Sequence, residues 1–146
     1  MTDTFSASVA WHRRAADTLE QFGRDHEVHY GSGIVVPASS APSFNGAADR
    51  VNPEEQLLGA LSSCHMLTFL AVAAKKRLVV QSYTDTAHGV LDRNAAGRLA
   101  VTKITLSPVV VFEGEQPTAD VLKSLHDSAH RNCFIANSIA SEVTIV

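Results

Sequence analysis

Asn52-Pro53-Glu54-Glu55-Gln56-Leu57-Leu58-Gly59-Ala60-Leu61-Ser62-Ser63-Cys64-His65-Met66-Leu67-Thr68-Phe69-Leu70-Ala71-Val72-Ala73-Ala74-Lys75-Lys76-Arg77 reads as one helix with both ends written into the sequence. Asn52 can accept from the free N–H groups of the first turn, and Pro53 suits the first helical position, where no N–H is needed. Glu54 and Glu55 at the start, and Lys75, Lys76 and Arg77 at the end, both complement the helix dipole. Between Glu55 and Lys75 there is no Asp, Glu, Lys or Arg. A helix apolar on every side is either a membrane span or the buried axis of a core. The length is close to the ~20 residues a bilayer needs. Gln56, Ser62, Ser63, His65 and Thr68 are too polar for lipid, however, and no second span follows. The stretch therefore predicts a central core helix wrapped by the rest of the chain, with no membrane partner.

Cys64 sits in the middle of that helix. Leu57, Leu61, Cys64, Thr68 and Ala71 fall at spacings of three and four, so the cysteine lies on an apolar stripe. It is either a small core residue, as free cysteines often are, or a reactive thiol. The one other cysteine, Cys133, is far along the chain, so the two can meet only through the fold. Neither belongs to a C-x-x-C motif, which speaks against a thioredoxin-like exchanger.

A length of 146 residues makes a single domain over 1–146 the expectation. The composition, 45% hydrophobic and 18% charged, is too apolar for disorder. The net charge of −3 comes with no basic run, which disfavours nucleic acid as the partner. Met1-Thr2-Asp3-Thr4-Phe5 has neither the basic start nor the apolar run of a signal peptide. The expected location is the cytoplasm, where a structural disulfide would be unusual. Two cysteines in such a compartment are either inert or a working redox pair.

Along the chain, Phe5 to Trp11 alternates as a first strand, and residues 12–26 are a polar turn region. Glu27-Val28-His29-Tyr30 and Ile34-Val35-Val36 are two short strands around Gly31-Ser32-Gly33. Residues 37–51, rich in Pro, Ser, Ala, Asn and Gly, have no periodicity and read as a long loop over a site. After the central helix, Leu78 to Leu91 reads as one long strand. Residues 99–112 return antiparallel to it as a second, bent at Pro108. Pro117-Thr118-Ala119-Asp120 opens another helix that ends near Arg131-Asn132. Residues 133–138 form a short turn, and 142–146 a closing strand. The order βββ-α-ββ-α-β predicts an antiparallel-rich α+β fold wrapped around a long helix.

Four sets of residues can carry chemistry. Cys64 and Cys133 are the first. His126, His130 and Cys133, at i, i+4 and i+7, are either metal ligands sharing one helix face or a solvated face carrying two histidines. Glu54 and Glu55 are either site carboxylates or ordinary dipole compensation. Arg50, with Arg13, Arg14 and Arg24 behind it, is either a site cation or surface charge.

The start Asn52-Pro53-Glu54-Glu55-Gln56-Leu57-Leu58, followed by Ala60-Leu61-Ser62-Ser63-Cys64, resembles the active-site helix of the osmotically inducible protein C / organic hydroperoxide resistance family. Cys133-Phe134-Ile135-Ala136-Asn137-Ser138, just before the last strand, is similar to the segment of that family's second cysteine. The element order matches over nearly the whole chain. The resemblance implies a thiol peroxidase with no metal or organic cofactor. Cys64 would attack an organic hydroperoxide, and its sulfenic acid would condense with Cys133 to a disulfide. An external dithiol such as a lipoyl group would restore both thiols. It also implies roles for Glu54 and for an arginine that lowers the cysteine pKa and orients the peroxide. Where known members carry Arg before Phe-x-Gly, this chain has Ser43-Phe44-Asn45-Gly46, so Arg50 is the arginine assigned here, with Arg13, Arg14, Arg24 or an assisting His65 as alternatives.

Glu54 and Cys64 lie ten residues apart, ~15 Å along a continuous helix and beyond the reach of a glutamate side chain. If one site uses both, Glu54 comes from a second copy of the helix, which predicts an intertwined homodimer. A kink at Gly59 is the competing geometry. Two other functions stand beside the peroxidase: a non-catalytic thiol sensor or binding module, and an acyl-thioester hydrolase, whose fold also wraps a sheet around a long helix.

Overall fold

The computed structural model describes residues 2–146. It is a mixed α+β structure with two compact units, one running to Gln56 and the other Leu57–Val146.

In the first unit, β1 (Ala7–Ala10), β2 (His26–Tyr30) and β3 (Val35–Ala38) form an antiparallel sheet in that order. Val28 lies opposite both Val9 and Val36. The polar segment between β1 and β2 is organised by Asp17, whose carboxylate accepts from the N–H groups of Arg14 (2.8 Å) and Gly23 (3.0 Å). The long loop after β3 has more structure than its composition predicted. Ser39 N–H donates to Val51 (2.9 Å) and Val51 N–H to Pro37 (3.2 Å), and a 3-10 turn spans Pro42–Phe44. The buried Ser39 hydroxyl donates to Asp25 (3.0 Å) and accepts from Ala47 N–H (3.1 Å), so the loop closes on a polar pin without any apolar periodicity to announce it. Gly46 rests on Ser40, and a Cβ there would overlap the Ser40 carbonyl.

The long helix, α1 (Pro53–Lys75), begins as its sequence predicts. Glu55 N–H donates to Asn52 Oδ1 (2.9 Å) and the Glu55 carboxylate accepts from Asn52 N–H (3.4 Å), a reciprocal capping box. Glu55 is thereby a capping residue. At the other end, Arg77 N–H reaches Ala74 (2.9 Å) and Leu78 N–H reaches Ala73 (3.0 Å), a Schellman closure with Arg77 in the left-handed region at φ 59°.

The second unit carries β4 (Val80–Thr84), β5 (His88–Arg93), β6 (Leu99–Leu106), β7 (Val109–Phe112), α2 (Ala119–Asn132) and β8 (Glu142–Ile145). The two long strands expected after α1 are each broken in two. β4 pairs with β7 and β5 with β6, all antiparallel, while β8 joins β6 in parallel. The first break has a polar cause. Asp85, between β4 and β5, accepts from the Ser62 hydroxyl of α1 (2.5 Å) and from Ser107 N–H (2.6 Å). Pro108 breaks the returning limb at the same level.

The expectation that the chain wraps α1 on all sides needs correction. Only Leu61, His65, Phe69 and Ala73 of α1 are buried, a single stripe at four-residue spacing. Gly59, Ala60, Ser63, Leu67 and Ala71 are exposed along the opposite face. Two apolar clusters meet the buried stripe. Phe69 and Ala73 pack with Phe112, Leu125 and Ala129, and Leu61 packs with Ile104, Leu106 and Cys133. His65 stands between them.

Candidate active site

Cys64 faces α2's end because the buried stripe of α1 turns that flank of the helix toward the second unit's interior. It is half-buried, packs against the Leu61, Ile104, Leu106 and Cys133 cluster, and is a free thiol, as is the fully buried Cys133. α2 stops at Asn132, and Cys133 leaves it in an extended conformation, its N–H donating to His130 (3.3 Å). The chain then turns sharply, with Asn137 N–H on the Cys133 carbonyl (3.0 Å) and Ala136 N–H on Cys133 Sγ (3.4 Å). This turn presents peptide N–H groups to the opposite thiol.

The two thiols are thereby made unequal. Burial pushes Cys64 up. The Ile135 N–H, the Cys133 thiol, the Phe134 N–H and the Thr68 hydroxyl outweigh it and hold Cys64 below the ordinary thiol value. For Cys133 burial prevails, reinforced by the neighbouring Cys64, and holds its thiol above that value despite the Ala136 N–H. Cys64 is thus the more readily ionised of the two thiols and Cys133 the less. No guanidinium is among the groups that lower Cys64. Sequence reasoning missed the amides, since a peptide N–H leaves no residue signature.

Cys64 also lines a cleft of about 610 Å³ with Leu67, Thr68, Val72, Lys75 and Phe134. Its wall is mostly apolar, with Lys75 at one end. The thiol is accessible there, as a nucleophile must be.

Arg50 and Glu54 lie in the first unit. The Arg50 guanidinium is occupied by Asp25 (3.5 Å) and the His26 carbonyl (3.4 Å), with Arg14 on the same Asp25 (3.8 Å). Arg13 and Arg24 stack on aromatic rings, Arg13 over Trp11 and Arg24 over Phe22. Among the described residues Glu54 forms no ion pair, and its Oε2 is buried without a hydrogen-bond partner. Gly59 does not interrupt α1, which runs unbroken from Pro53 to Lys75.

The face with His126, His130 and Cys133 is not a ligand set, and no three metal-binding side chains converge among the described residues. Cys133 lies beyond the end of α2, and His126 turns to His65, its Nδ1 lying 3.0 Å from His65 Nε2. His65 is 1% exposed, and burial first, with His126 and His130 beside it, lowers its pKa to about 4. Burial likewise lowers His126. In both imidazoles burial favours the neutral form.

Residues 46–146 match the family model described as OsmC-like protein. An OsmC-like protein of unknown function from Vibrio cholerae superposes with a TM-score of 0.94 at 42% identity, covering 99% of each chain. The Bacillus subtilis protein YmaD is 26% identical over 78% of this chain and 77% of its own length. An organic hydroperoxide resistance protein from Elizabethkingia anophelis shares the fold, with a TM-score of 0.76 at 18% identity over 99% and 94% of the two chains. By the span of the family model and the near-complete match to the Vibrio protein, this chain belongs to the OsmC-like family.

Proposed function

We propose that the chain is a cysteine-based peroxidase for organic hydroperoxides. The observation that carries this is the unequal thiol pair, with Cys64 lining an apolar cleft and held below the ordinary thiol value, and the fully buried Cys133 packed beside it and held above that value. The Cys64 thiolate attacks the terminal oxygen of the hydroperoxide. The O–O bond breaks, Cys64 becomes a sulfenic acid, and the alkoxide takes a proton from solvent to leave as the alcohol. Cys133 then attacks the sulfenic sulfur, forming the disulfide and releasing water. An external dithiol, such as a lipoyl group, is oxidised as it restores both thiols, and the chain needs no metal or organic cofactor.

A two-fold dimer belongs to this proposal. Leu67 is 60% exposed on the small-residue face of α1, and Phe5, 94% exposed, precedes a β1 strand that is exposed throughout. A second copy would cover such surfaces. Glu54, with its unpartnered buried oxygen, is proposed to serve the Cys64 of the other subunit. The amides already lower Cys64, so Arg50 is assigned to orienting the peroxide and not to activating the thiol.

Peroxide consumption with a dithiol in excess tests the proposal. Cys64→Ser should abolish turnover, and Cys133→Ser should leave one turnover and a sulfenic acid that dimedone traps. Equal residual activity in both variants would overturn the roles. Wild-type protein that oxidises once and stops would make it a sensor.

A further inference from the structure

We infer that His65 and His126 form a positioning pair that sets the angle between α1 and α2 and so brings Cys133 onto Cys64. This rests on the proposed cysteine roles and assigns residues those roles do not use.

The geometry carries it. Besides the apolar packing of Phe69 and Ala73 on Leu125 and Ala129, α1 meets α2 and its end at two polar points. One is the thiol pair, and the other is the hydrogen bond between His65 Nε2 and His126 Nδ1 at 3.0 Å. On α1 the two points are adjacent residues. On α2 they lie seven residues apart, His126 two turns before Cys133, a lever of roughly 10 Å along the axis. A rotation of α2 by about 10° around the histidine point therefore moves Cys133 by about 2 Å, the length of an S–S bond.

Apolar packing fixes a crossing angle through shape alone, whereas a hydrogen bond adds a direction. The two clusters on either side of His65 are apolar apart from the cysteines and Tyr83, whose buried hydroxyl makes no hydrogen bond. Between them, the histidine pair is the one directional contact joining the two helices among the described residues. A buried polar pair inside an apolar seam specifies register, as a lone asparagine does in a coiled coil. Phe69 seats the pair, its ring 4.5 Å from that of His126 and tilted by 35°. The groups facing the pair are His130 and Asp127 on α2 and Asp85 in the β4–β5 link. None of them hydrogen-bonds either imidazole. The bond between the two rings is thus the only one each makes through these nitrogens.

The test uses the dithiol–disulfide equilibrium of the full chain in glutathione buffers, which needs no peroxide. An amide nitrogen or oxygen of asparagine occupies the place of histidine Nδ1, whereas leucine fills the volume without any polar atom. His126→Asn should keep the effective concentration of Cys133 at Cys64 within about threefold of wild type, and His126→Leu should lower it at least about tenfold. Should the leucine variant fail to fold, His126→Gln, whose amide lies one bond too far out, replaces it with the same expected loss. Wild-type values in both variants, or equal losses in both, would overturn the inference. If wild-type protein forms no Cys64–Cys133 disulfide at all, the dithiol reading itself fails, and the positioning role with it.

Discussion

Burial against Leu61 and Ile104 raises a thiol's pKa, and for Cys64 the peptide N–H groups of the turn after α2 more than offset that rise. The donors can be removed singly. Cys133 has ψ 115°, which a following proline accepts, and the Phe134 side chain is 80% exposed. Phe134→Pro should therefore remove one donor with little loss of packing. The alkylation profile of Cys64 should move to higher pH, with a rate at pH 7 lower by about three- to tenfold. An unchanged profile would mean that another group lowers the thiol. His65 makes a separate prediction for stability. Its folded pKa is about 4 against ~6.5 unfolded, so between these values the unfolded chain binds the proton and the folded chain does not. The stabilisation is complete above about pH 6.5 and is lost as pH falls toward 4, by up to about 3 kcal/mol. Thermal melts from pH 7.5 to 4.5 should show this loss in wild type and a smaller one in His65→Gln. At this scale the cysteines were legible because the chain has only two, each in a recognisable setting. The His65–His126 pair was not, because the spacing of His126, His130 and Cys133 suggested a shared helix face, and only tertiary packing turns His126 away from it.

The start of α1 was legible to the residue, because capping is local chemistry between neighbours in sequence, whereas its last turn ends at Lys75, short of the Lys76 and Arg77 expected in it. The C-terminal end also shows where the sequence departs from its own preference. The Schellman closure puts Arg77 at φ 59°, a conformation that strains any residue with a Cβ. Arg77→Gly should raise stability by about 1 kcal/mol, read as a higher urea midpoint at unchanged slope. An unchanged or lower midpoint would mean that the arginine side chain makes a compensating contact. The strands after α1 were less legible. Leu78 to Leu91 is apolar enough to read as one strand, and nothing local says that Asp85 will turn onto Ser62 of the helix. The loop after β3 misled in the same way, since its fold depends on Ser39 meeting Asp25 and Ala47. In both places a polar residue acts through a partner distant in sequence, which periodicity cannot register.

For the whole molecule, the uniform apolarity of α1 reads as a demand for burial on every side, and one chain supplies only a single stripe. The small and apolar face of Gly59, Ala60, Ser63, Leu67 and Ala71 has the geometry for close helix approach. The proposed dimer should appear as a species of twice the chain mass in sedimentation at micromolar concentration. Glu54→Ala and Cys64→Ser proteins, each inactive alone, should recover partial activity when unfolded together and refolded as a mixture. Recovery of none would remove Glu54 from the site.

All of this depends on Cys64 and Cys133 acting as one redox unit. Thiol titration before and after a single equivalent of cumene hydroperoxide tests that claim most directly. The expected result is two titratable thiols in the reduced chain, none after the peroxide, and two again after a dithiol is added. Two thiols surviving the peroxide would contradict it, leaving Cys64 and Cys133 as packing residues of the core.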